Sequence, residues 1–210
     1  MTETPMTFSF DPGLDLALTR GWATWIDVAR NKGVERTAEW LLRRDEIGLD
    51  PDELDALITT LLESESAFDR SMAASELAEY VADEDDAVAA VLWEGVLTSG
   101  RDANDSEVYF EGLSHLAEIE DDYGDPQAAA ALYVDFLNWT REPGRSTEAE
   151  AIFSAFDRLI ELAESDGAPA AAAGYGHIQN RFFRFVDGDD SRIVSDEWDP
   201  GEPPYGVWTD

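Results

Sequence analysis

Two histidines, His115 and His177, 47 Asp and Glu residues and no cysteine define the chemistry open to this chain. Without thiols there are no disulfides and no thiolate metal sites. Neither histidine belongs to an HExxH pattern, and no GxxxxGK[ST] loop, GxGxxG turn or GxSxG elbow occurs. Zinc hydrolysis, phosphate cradling and serine nucleophilic catalysis therefore lack their signatures. The run Asp83-Glu84-Asp85-Asp86, the pair Asp121-Asp122 and Asp187-Gly188-Asp189-Asp190 could offer oxygens to Ca²⁺ or Mg²⁺. None carries the glycine-centred loop and distal Glu of an EF-hand, and solvated helix ends are the plainer reading. With carboxylates this abundant, glycosidase-like pairs can be drawn anywhere. No catalytic residue, metal ligand or cofactor is expected, and an enzyme without a recognisable signature stands as the remote alternative.

The charge balance narrows the partners. A formal charge of -33, with only 14 Lys and Arg, cannot easily supply the cationic face that phosphate binding needs, so direct nucleic-acid binding is not expected. Lys32 is the only lysine, the other cations are arginines, and acids occupy nearly every segment. This composition is similar to that of salt-in halophiles such as halophilic archaea, where molar cations screen repulsion that would expand the fold in dilute buffer. Met1 to Phe10 has neither the basic residue nor the apolar run of a signal peptide, and no stretch reaches the ~18 apolar residues of a membrane span. A cytoplasmic protein with no membrane partner is expected.

Gly, Pro, Asn and Asp punctuate the chain into about nine helices, near 14–31, 34–45, 51–64, 66–82, 85–99, 105–123, 126–141, 146–165 and 168–185. Strand signals are nearly absent. Asp50-Pro51 and Asp125-Pro126 each set a capping carboxylate before a proline at the first helical position, where its missing N–H costs nothing. Ser146-Thr147-Glu148 offers a hydroxyl cap before acids in a first turn. Gly33, Gly124 and Gly167 sit where a left-handed residue reverses the chain. Phe110, Leu113, Leu116 and Ala117, then Leu132, Phe136 and Trp139, recur at helical spacing and are expected in the core.

Glu107 to Arg141 aligns without a gap on Glu150 to Arg184, an offset of 43 residues. Phe110 matches Phe153, Leu116 Leu159, Glu118 Glu161, Gly124 Gly167 and Pro126 Pro169. Leu113 pairs with Phe156 and Trp139 with Phe182 at core positions. Such a period in helical sequence marks stacked helical hairpins. Near the N-terminus Trp22, Trp25, Ile26, Ala29, Gly33, Ala38 and Leu42 follow the order large, large, small, turn glycine, small and aliphatic. That order resembles the tetratricopeptide repeat, as does Gly124, Asp125, Ala129, Tyr133 and Phe136. The resemblance implies an all-α fold of antiparallel hairpins stacked as a solenoid over 1–186, with an irregular α-bundle as the alternative. A second region, 187–210, is an acidic tail containing Trp198 and Trp208. It either covers the apolar face of the last helix or carries an acidic-aromatic motif for a partner.

Tetratricopeptide-like arrays bind extended peptides along the surface formed by their first helices. What the resemblance implies is a polar groove of Arg20, Asp27, Arg30 and Asn31, then Glu111, His115, Glu118 and Asp122, then Arg158 and Glu161. A peptide acidic at one end and basic further along would complement it. The expected function is a non-enzymatic protein- or peptide-binding scaffold, and the rival is an acidic decoy that mimics nucleic acid toward a basic partner. Oligomeric state does not follow from these patterns. If the acids are a salt adaptation, helicity and melting temperature rise with molar KCl. Full helicity and a cooperative melt in salt-free buffer, read by far-UV circular dichroism, would remove that account.

Overall fold

A computed structural model describes residues 11–44, 49–81, 86–186 and 192–194. Its helices are α1 (Pro12–Leu18), α2 (Trp22–Lys32), α3 (Val34–Arg44), α4 (Pro51–Glu63), α5 (Ala67–Val81), α6 (Asp86–Ala103), α7 (Ser106–Asp122), α8 (Pro126–Thr140), α9 (Ala149–Ser165) and α10 (Pro169–Val186). Two short strands, β1 (Ser146–Glu148) and β2 (Arg192–Val194), pair antiparallel with Thr147 opposite Ile193. The all-α class holds, with helices packed in neighbouring pairs. Two compact units are present, Met1–Gly95 and Val96–Asp210.

Short carboxylates start these helices because an Asp oxygen reaches the unpaired N–H groups of the first turn. Asp50 accepts from the Asp52 N–H at 2.9 Å, and Asp125 from the Ala128 N–H at 2.9 Å, each before a proline, as their Asp-Pro pairs suggest. Asp11-Pro12 does the same for α1, with Asp11 accepting from Gly13 and Leu14. Asp105 caps α7 through the N–H groups of Glu107 and Val108.

The expected helix over 14–31 is two helices, which brings the expected nine to ten among the described residues. The apolar spacing runs on, but Gly21 at φ +82° takes a backbone course that ends α1 and begins α2. Gly21 has no side chain to cap with, so Glu94 of α6 supplies one, accepting from the Trp22 N–H at 2.8 Å. The expected helix over 146–165 also starts later. Residues 146–148 are strand, Glu148 stands at the N-cap without a side-chain bond, and Thr147 is buried. Pairing with β2 takes up this backbone, so no hydroxyl cap forms.

Within unit 2, α7 packs on α8, α8 on α9 and α9 on α10. The two halves of the 43-residue repeat turn alike. Gly124 (φ +81°) and Gly167 (φ +73°) follow α7 and α9, with bonds from Gly124 N–H to Asp121 O and from Asp125 N–H to Glu120 O. Gly167 N–H to Glu164 O and Ala168 N–H to Ala163 O repeat that pattern. Leu113, Phe156, Trp139 and Phe182 are all fully buried, as their alignment suggests, and Tyr109, Phe136 and Trp139 interlock with ring centroids 5.0 to 6.1 Å apart. Phe110, Leu116 and Leu132 are only half-buried.

Unit 1 is built around Trp22, Trp25 and Trp40, with Trp25 6.0 Å and 6.1 Å from the other two. The same unit holds Asp11, the one fully buried carboxylate among the described residues. Lys32 Nζ approaches it at 3.0 Å and Arg36 Nε at 3.2 Å. Burial alone would raise its pKa, but Lys32, Arg36 and the Leu14 and Gly13 N–H groups together hold it below its ordinary 3.8. A carboxyl lowered in the fold stabilises it fully above the unfolded value and loses that contribution as pH falls through the folded one. Asp11→Asn is expected to cost about 1 to 3 kcal/mol near neutral pH, with the difference from wild type shrinking below pH ~4. Denaturant titrations across that range measure it.

Candidate functional site

The charged groups of α7 and α9 form the most organised polar face of unit 2. α7, α8 and α9 carry one cation, Arg158, against eleven carboxylates. Helical spacing places Glu111, His115, Glu118 and Asp122 along one side of α7, and Arg158 and Glu161 along α9. The two helices touch, with α8 packed against both.

Tyr133 of α8 lies beside both rows. Its side chain is 1% exposed; burial raises its pKa, and the nearby Arg158 guanidinium and Ser114 hydroxyl work against that rise. Ser114 in turn donates to the Phe110 carbonyl at 2.8 Å. Arg158 Nη1 also meets Glu161 Oε2 at 2.8 Å, and His115 Nδ1 lies 3.6 Å from Glu118 Oε2, an ion pair whenever the imidazole is protonated. The neighbouring Tyr133 hydroxyl raises the Arg158 pKa most, with Glu161 adding to it against the effect of burial. Such a face can orient a bound polar segment.

In unit 1 the groove candidates are less collected. Arg30 donates from Nε to the Leu62 carbonyl at 3.2 Å, placing a cation at the end of α4, where the helix dipole favours one. Asn31 donates to the Asp27 carbonyl of its own helix at 2.9 Å. Arg20 is exposed before α2, about 15 Å of helix from Arg30. Trp198 and Trp208, most of the tail from 187 to 210, and Asp83 to Asp85 lie outside the described residues. Among the described residues no cluster of His, Asp and Glu could hold a metal ion, and no helix is long and apolar enough to cross a membrane.

Tyr133 and Ser114 were not among the expected groove residues. Tyr133 carries the hydrophobic signature of a core position, and nothing local to it announces its place beside Arg158 of α9. A separate open recess of about 490 Å³ lies at the α2–α3 turn, lined by Lys32, Gly33, Val34, Glu35, Arg36 and Glu39. Its cations already face Asp11. Comparison of the chain with protein-family models, curated proteins and solved structures finds no match.

Burial raises the pKa values of Tyr109, Tyr133 and Tyr175 above their ordinary 10.0. A phenol raised in the fold stabilises it fully below the unfolded value, and that contribution is lost as pH rises through the folded one. The melting temperature is therefore expected to fall above pH ~10. Tyrosinate absorbance should show late-titrating tyrosines, and Tyr133→Phe should reduce both effects.

Proposed function

We propose that this chain is a non-enzymatic protein- or peptide-binding scaffold, tetratricopeptide-like in its repeats, working in a salt-adapted cytoplasm. Its α7/α9 face receives an extended segment bearing Lys or Arg. The observation that carries this reading is the 2.8 Å ion pair of Arg158 with Glu161, which engages the face's only cation within the site. Toward a ligand the face turns the exposed Glu118 and Asp122, four residues apart on α7. Basic side chains pair with these two acids, while Arg158 offers its remaining N–H groups to a backbone carbonyl or acidic side chain. The repeat supports the reading further, because its aligned glycine turns set α7 and α9 in equivalent places.

Fluorescent peptides of about ten residues with alternating Lys and neutral polar positions test it. In about 1 M KCl, where general attraction is screened, Glu118→Lys with Asp122→Lys should weaken binding roughly fivefold or more. Glu35→Lys on α3 should leave it unchanged. Equal losses from both changes would reduce the binding to overall charge and overturn the assignment.

A further inference from the structure

Helix α5 distributes its side chains against the usual order of size. Its buried side is mostly small, with Ser71, Ala73, Ala74, Ser75 and Ala78 accompanied by Leu77 and Val81. Three of its large apolar side chains face out instead: Phe68 is 60% exposed, Met72 51% and Tyr80 43%. With Glu76 they follow one another at intervals of four, which makes a single ridge about 18 Å long. Exposed Asp69 and Glu79 border it, and the exposed Glu76 lies within it. The helix's one cation, Arg70, is drawn off to the α4–α5 turn, where Nη1 donates to the Ser64 carbonyl at 2.7 Å.

We infer that the α5 ridge is a docking surface for an amphipathic helix of a partner protein, with an apolar stripe flanked by Lys or Arg. Phe68 and Met72 provide the apolar contact, since a phenyl ring and a flexible thioether accept varied aliphatic partners. Asp69, Glu76 and Glu79 select a basic flank by charge complementarity. The same three acids disfavour the other occupants. A second copy would set acid against acid along the ridge, and an anionic lipid surface would repel them. The ridge belongs to unit 1 and does not depend on the α7/α9 face.

Full-length protein and two synthetic peptides of about eighteen residues test this. One places Leu on a single helical stripe with Lys on its flanks; the other permutes the same residues so that no stripe forms. Titration calorimetry in about 1 M KCl should show the striped peptide binding and the permuted one binding at least tenfold more weakly. Phe68→Ser with Met72→Ser sits on the surface and should leave circular dichroism unchanged, yet weaken the striped peptide roughly tenfold. Glu118→Lys should leave that affinity intact, so failure of the α7/α9 proposal and of this one are separable. The inference is overturned if the striped peptide does not bind, if both peptides bind alike, or if the Phe68/Met72 variant keeps wild-type affinity. It is equally overturned if Glu118→Lys abolishes binding, or if sedimentation shows a dimer that the Phe68/Met72 variant dissolves.

Discussion

A carboxylate leaves water only where N–H groups or cations replace its hydration, and here 47 carboxylates share 14 Lys and Arg. Most of the described architecture obeys that shortage. The single fully buried acid among the described residues, Asp11, draws on the chain's only lysine, an arginine and two helix N–H groups. Elsewhere the backbone substitutes for cations: Asp50, Asp105 and Asp125 cap helices locally, and Glu94 caps α2 from a distant helix. Helix starts can neutralise carboxylates without consuming side-chain charge, because their unpaired N–H groups already carry partial positive charge.

The core answers to a different constraint. In the aligned halves of unit 2 the glycine turns share the same hydrogen-bond pattern, and Trp139 and Phe182 fill equivalent buried places. There a large ring is kept although its identity changes. Arg145 illustrates how surface cations serve packing as well. Its guanidinium lies 4.7 Å from the Trp139 ring centroid while binding Glu142 and Asn104.

Two surfaces stand apart from this economy of charge. At the α7/α9 face, Arg158 pairs with Glu161 at 2.8 Å beside the buried Tyr133. On α5, large apolar groups remain in water while small ones occupy the core side. The first surface is polar, the second apolar and bordered by acids.

Capping by Asp50 and Asp125, the turns at Gly124 and Gly167 and the burial of Leu113, Phe156, Trp139 and Phe182 were legible because each depends on residues within one or two turns of helix. Asp11-Pro12 belongs to the same class and could have been read by the same rule. The break at Gly21 was hidden because apolar spacing continues through it and the compensating cap, Glu94, is 72 residues away. Residues 146–148 read as a helix start, since three residues become a strand only when a partner such as 192–194 is brought beside them. Tyr133 read as core and is buried, and only the packing of α8 against α7 and α9 brings it beside Arg158. Local hydrogen bonding and periodicity set the helical class, most helix starts and the repeat, and those are written in the residues. The distant cap on α2, the partner of 146–148 and the face of α5 that stays in water follow from distances between elements, which no local rule contains.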